Sequence, residues 1–246
     1  MPRTSVTIDT GDGACSATLH TPTDQGDWPG VILYPDAGGV RETFATMADR
    51  LAQLRYAVLL PDVYYRAGSW EPFDLATVFN NPDEWARLQK LMTSLTSERI
   101  SQDAGAFLNF LAERPEVSDT GVGTTGYCMG GRISLIVAGH HPERVTAAAS
   151  FHGGALAVEN DPDSPHLLAD RIRASVYVAG AQDDEYFPSD QAQRLEAALR
   201  NAGVVHTVET YPAGHGFAVP DNPAYDEPAE QRHWAALAEL LACNLC

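Results

Sequence analysis

Residues 4–9 and 14–20 alternate apolar and polar side chains, placing Val6 and Ile8, then Ala17 and Leu19, on one face. A period of two marks strands with one buried face. Thr10-Gly11-Asp12-Gly13 between them has turn chemistry, so the two runs predict an antiparallel hairpin. From residue 30 the pattern changes. Short apolar runs with little alternation fall at 30–34, 56–60, 121–126, 145–151, 174–181 and 204–211. Such runs suit strands buried on both faces. Helical periodicity separates them near 41–55, 97–113, 130–141 and 188–202, and again near 228–242. Strand–helix alternation predicts the α/β class: a mostly parallel central sheet with an antiparallel N-terminal hairpin and helices on both faces. In such sheets the active site lies beyond the carboxyl ends of the strands.

The whole chain, 1–246, reads as one domain of 26.5 kDa, a size that α/β folds reach as a single unit. Residues 66–96 interrupt the rhythm with several prolines and with Trp70, Phe73, Phe79 and Trp85. They read either as a surface excursion with its own small core or as a cap over a pocket, and both can hold. Apolar runs are too short to span a bilayer. The N-terminal residues lack the apolar core of a secretion signal, and four cysteines are too few for a disulfide scaffold, so a cytoplasmic, reduced protein is expected.

Charge narrows the partners. Sixteen Lys and Arg stand against 33 Asp and Glu, a formal net of −17. That field repels nucleic acid and anionic membranes, leaving a small molecule as the expected partner. Monomer and homodimer are both open.

The chemistry concentrates at strand ends. Gly126-Tyr127-Cys128-Met129-Gly130-Gly131 follows the 121–126 run and precedes a helical pattern. Gly-x-Ser-x-Gly in a strand–turn–helix setting is the nucleophile elbow, here with cysteine in place of serine. The helix N-terminus beyond it favours a thiolate. The alternative is a buried, inert cysteine at a tight junction. Farther on, the 174–181 run ends in Gly180-Ala181-Gln182-Asp183-Asp184, and 204–211 is followed by Gly214-His215-Gly216-Phe217. Nucleophile, acid, histidine is the α/β-hydrolase chain order. Asp183, as the first acidic position after the strand, is expected to orient His215, although Asp183 could equally be a loop carboxylate, as could Asp184 or Asp190. His152, after the 145–151 run, is either a pocket residue or a satisfied structural histidine. Cys243-Asn244-Leu245-Cys246 reads as a tail rather than a redox or zinc site, and no metal-ligand cluster or phosphate loop stands out.

These motifs, with Pro35-Asp36-Ala37-Gly38-Gly39 and Pro61-Asp62-Val63-Tyr64-Tyr65-Arg66, resemble the dienelactone hydrolase family over roughly residues 10–243. The resemblance implies the α/β-hydrolase fold and a triad of Cys128, Asp183 and His215. It also implies an oxyanion hole formed by the Ala37 and Met129 amides. Asp36 stands where the family has a glutamate against the resting thiol. Arg66 matches one of the arginines that hold the substrate carboxylate, while the other position holds Val219. Asp36, Arg66 and Tyr127 are therefore the substrate-binding candidates. The implied activity is ester or lactone hydrolysis through a thioester acyl-enzyme, with no cofactor and no metal. Another acyl esterase or thioesterase on the same triad, and a non-catalytic ligand-binding or redox protein with a reactive cysteine, are the alternatives.

Overall fold

The hairpin forms as the alternation predicts. Strand β1 (Arg3–Asp9) pairs antiparallel with β2 (Ala14–His20), closed by a Thr10 N–H to Gly13 carbonyl bond of 3.0 Å. The computed structural model describes residues 1–245. Cys246, the second cysteine of the terminal pair, and the side chain of Phe79 lie outside the described residues.

Six further strands complete the sheet: β3 (Gly30–Tyr34), β4 (Ala57–Pro61), β5 (Val122–Tyr127), β6 (Val145–Phe151), β7 (Ser175–Ala181) and β8 (His206–Tyr211). The spatial order is β1-β2-β4-β3-β5-β6-β7-β8, with β2 antiparallel to β4 and every later pairing parallel. Strand order reverses around β3, next to β5, so the β3 and β5 ends open on one crevice.

Among the described residues six α-helices cover the sheet: α1 (Glu42–Gln53), α2 (Pro82–Thr93), α3 (Ser97–Ala112), α4 (Met129–His140), α5 (Ser189–Asn201) and α6 (Glu227–Asn244). Successive residues of β3 enter opposite cores. Val31 and Leu33 pack with Phe44 and Leu51 of α1 and Leu237 and Leu241 of α6. Ile32 and Tyr34 pack with Phe107 of α3, Ile133 of α4 and Leu195 of α5. Burial on both faces is why these strands read as unbroken apolar runs.

The 66–96 excursion contains α2, which apolar periodicity alone did not predict. Its start is nevertheless well marked: Asn81 Oδ1 accepts from the Asp83 and Glu84 amides at 3.1 and 3.3 Å, and Pro82 opens the helix. Phe73, Val78, Leu88 and Leu91 are buried in the α3–α4 side of the core. Among the described residues, no helix is long and apolar enough to cross a membrane.

Candidate active site

The elbow cysteine sits between β5 and α4 in a backbone conformation L-residues rarely adopt, with φ 52° and ψ −115°. Its neighbours must be small. A Cβ on Gly126 would lie 1.9 Å from the Gly130 carbonyl oxygen, and one on Gly130 would lie 2.3 Å from the Tyr34 oxygen. Backbone cannot yield at those distances, so glycine is required on both sides. The strain is held in place by the Cys128 N–H to Phe151 carbonyl bond (3.1 Å) and by Gly131 N–H donating to the Cys128 carbonyl (3.0 Å).

His215 follows β8 on a loop and enters the same crevice. Its Nδ1 donates to Asp184 Oδ2 at 2.8 Å, and the Asp184 side chain is fully buried. The other Asp184 oxygen accepts from the Tyr186 amide at 2.9 Å. The expectation that Asp183 partners His215 is thereby corrected. Asp183 is exposed and, among the described residues, receives only the Gln182 side-chain amide at 3.3 Å. The reason is local: Asp183 takes a left-handed φ of 53°, which breaks the alternation of β7 and turns the following residue inward.

His215 Nε2 is buried, and the ring neighbours the Cys128 sulfur. Burial opposes charge on this ring, but the Cys128 sulfur and Asp184 outweigh it and push the imidazole up to about 10. The ring therefore favours its protonated form. The other described thiols lie away from this crevice. Cys15 is buried and pushed up to about 12, by burial first and then by Asp62, while Cys243 lies exposed on α6.

Two backbone amides near the cysteine lack intramolecular acceptors among the described residues. Met129 is the first residue of α4, where a backbone N–H has no acceptor within its own helix. In the β3–α1 loop, Gly38 N–H donates to Asp36 Oδ1 (2.9 Å) and Gly39 N–H to the Asp36 carbonyl (2.9 Å). The Tyr64 hydroxyl donates to the Ala37 carbonyl at 3.0 Å. The Ala37 N–H is left without an acceptor among the described residues. Ala37 and Met129 both border the cavity over Cys128.

That cavity has a volume of about 560 Å³ and is walled largely by apolar side chains. Asp36 borders it, yet its carboxylate is occupied: Arg41 Nη1 and Nη2 donate to its two oxygens at 2.7 and 2.9 Å. Arg41 also donates to Asp221 from Nε and Nη2, both at 2.7 Å. Asp36 thus anchors the β3–α1 loop to Arg41.

The other two substrate-binding expectations are corrected. Arg66 is not among the residues bordering the cavity. It donates to Asp103 through Nη1 and Nη2, both at 2.7 Å, and to Asp12 through Nε at 2.6 Å, fastening the β1–β2 turn to α3. Tyr127 is fully buried, its hydroxyl 2.8 Å from His233 Nε2 and its ring stacked on Phe151. Alternation on β5 sends it into the α1–α6 side of the core, away from Cys128's crevice. Val219 is buried in the same core.

Sequence reasoning missed Arg132, one turn into α4, which borders the cavity. It donates to the carbonyls of Ala155 and Asp163 and to Asp161 Oδ2 at 2.8 Å. The signal lay in the sequence, since the fourth residue after an elbow nucleophile occupies the first turn of the following helix. His152 is neither a pocket residue nor a satisfied one. It is fully buried, its ring packs 5.3 Å from that of His215, and neither ring nitrogen has a partner among the described residues. Burial, then His215 and His233, hold it well below the ordinary imidazole value, so it is a neutral ring beneath the charged one.

Fold and site together define the class: an α/β-hydrolase, with a histidine–carboxylate pair at the strand ends beside an elbow cysteine. The dienelactone hydrolase family model matches residues 15–245, and the chain belongs to that family. It is a carboxylic ester hydrolase. A carboxymethylenebutenolidase from Rhodococcus opacus is 29% identical over 201 residues, covering 81% of this chain and 74% of the relative. A dienelactone hydrolase-like promiscuous phosphotriesterase from metagenomic libraries superposes with a TM-score of 0.79 at 27% identity, covering 100% of this chain and 99% of the other. The dienelactone hydrolase from Anabaena variabilis shares the fold, with a TM-score of 0.71 at 18% identity over 100% and 99% of the two chains.

Proposed function

We propose that this chain hydrolyses esters or lactones through a thioester on Cys128, with His215 and Asp184 completing the triad. The Cys128 sulfur adds to the substrate carbonyl carbon, and the carbonyl π pair moves onto oxygen. The Ala37 and Met129 amides receive that oxyanion. Collapse restores the carbonyl and breaks the bond to the leaving oxygen, which takes a proton from His215 Nε2. A water then attacks the thioester while His215 takes its proton. Cys128 departs as thiolate, and the acid is released. In a lactone the leaving oxygen remains part of the acyl group throughout, and the product is a single ring-opened hydroxy acid. Asp184 fixes the ring so that Nε2 faces the reacting atoms and supports its charge.

The observation that carries this reading is the elbow geometry of Cys128 beside an imidazole that Cys128 and Asp184 together hold protonated. A reactive binder without turnover would have no use for free amides over the cysteine. We take the chain as one domain with the 66–96 excursion as its cap, since that segment supplies Leu75, Trp85 and Met92 to the cavity. The free thiols Cys15, Cys128 and Cys243 fit a reducing cytoplasmic setting.

The test is alkylation with iodoacetamide, adduct mapping and residual activity toward an activated aryl ester. Modification of Cys128 should track loss of activity one for one, Cys15 should resist, and Cys243 should react without effect. Activity that survives complete modification of Cys128 would remove it as the nucleophile.

A further inference from the structure

We propose that the cavity over Cys128 is an acyl pocket for neutral carboxylic esters with an extended apolar acyl group, and that it discriminates against acyl groups carrying a second carboxylate. This deepens the hydrolase reading above and rests on it.

The mechanism divides the cavity. His215 must pass its proton to the leaving oxygen, so the alcohol portion lies on the His215 side. That side is bordered by Tyr186, whose ring lies 4.9 Å from the imidazole, and by Asn222 and Ala224. The acyl portion then faces the remaining wall. Its apolar part is Leu75, Trp85, Met92, Leu95, Ile100 and Ile133, and the charged residues Asp36 and Arg132 also border the cavity. The six apolar residues come from the excursion, α2, the α2–α3 junction, α3 and α4, and all six pack into the same apolar core. A volume of about 560 Å³ is far more than an acetyl group needs and lies in the range of sites that enclose whole small ligands.

Charge points the same way. Arg132 is the one arginine bordering the cavity among the described residues, and its guanidinium is already engaged by Asp161 and two carbonyls. Asp36 is balanced by Arg41, which also carries Asp221, so that cluster is net negative. Arg66 is spent on Asp12 and Asp103 outside the cavity. A substrate carboxylate in the acyl pocket would be desolvated against hydrocarbon with no free cation to receive it. An alkyl chain would gain from each methylene buried, roughly fourfold in specificity constant.

The experiment compares kcat/KM for p-nitrophenyl acetate, butyrate and hexanoate with that for the mono-p-nitrophenyl ester of adipic acid, whose acyl chain matches hexanoate but ends in a carboxylate. The specificity constant should rise at least tenfold from acetate to hexanoate and fall at least tenfold from hexanoate to the adipate monoester. In Met92→Arg, with folding checked by circular dichroism, the gap between the last two should narrow about tenfold, because a cation now borders the acyl wall. Indifference to chain length, or equal or better use of the adipate monoester by the native enzyme, overturns the pocket assignment while leaving the hydrolase reading intact. A protein that turns over none of the series overturns the hydrolase reading, and this inference with it.

Discussion

At the residue scale, the site depends on two left-handed backbone positions. Cys128 at φ 52° holds its sulfur over the sheet, and Asp183 at φ 53° turns Asp184 inward. Replacing the inward carboxylate should therefore be costly and replacing its neighbour should not. Asp184→Asn is expected to lower kcat by about three to four orders of magnitude, because the amide cannot support the imidazolium. Asp183→Asn should stay within about twofold, as exposed substitutions do. Steady-state kinetics on the two variants decide it, and the reverse order would return Asp183 to the triad. The same pair sets a pH dependence. His215 is raised from its ordinary 6.5 to about 10, so its contribution to stability is full below about 6.5 and is lost as pH rises through about 10. The rate should fall over the upper part of that window, as the proton needed by the leaving oxygen is lost. Removing Asp184, one of the groups that raise the ring, should move this alkaline limb to lower pH in a kcat profile. An unshifted limb would mean that another group sets it.

At the element scale, the strands were legible because both faces of each bury apolar side chains, as Val31 and Leu33 do on one face of β3 and Ile32 and Tyr34 on the other. The elbow was legible because backbone contacts at Gly126 and Gly130 exclude every other residue. Helix α2 was not, since only Leu88 and Leu91 are buried on it and its start is signalled by capping rather than periodicity. The choice between Asp183 and Asp184 was not legible either, because a single left-handed residue reverses the inward face and no pattern announces it. Arg66 misled for a different reason: its partners, Asp12 and Asp103, lie 54 and 37 residues away in sequence. Its role belongs to stability. Arg66→Ala would leave Asp103 buried without its cation, at a cost of about 3 kcal/mol. That corresponds to a fall in Tm of about 6–12 °C. KM should hardly change. A raised KM at unchanged Tm would put Arg66 back in the substrate site.

At the scale of the whole molecule, the loops that carry the chemistry are tied to one another. Arg41 joins Asp36 on the β3–α1 loop to Asp221 on the loop beyond His215, and the Thr43 hydroxyl adds a 2.6 Å bond to Asp221. The β3–α1 loop and the histidine loop are thus held in register across the crevice, and the oxyanion stabilisation proposed above relies on such preorganisation. The net charge of −17 slows the approach of anions to the molecule and leaves that of neutral esters unaffected. Everything in the account passes through one covalent species, an acyl group on the Cys128 sulfur. Mixing the enzyme with excess p-nitrophenyl hexanoate, quenching in acid during turnover and measuring peptide masses looks for it directly. The account predicts a single hexanoyl group on the peptide containing Cys128, released by neutral hydroxylamine as a thioester is, with neither adduct nor turnover in Cys128→Ala. An acyl group on another residue, or turnover that persists in Cys128→Ala, would contradict it.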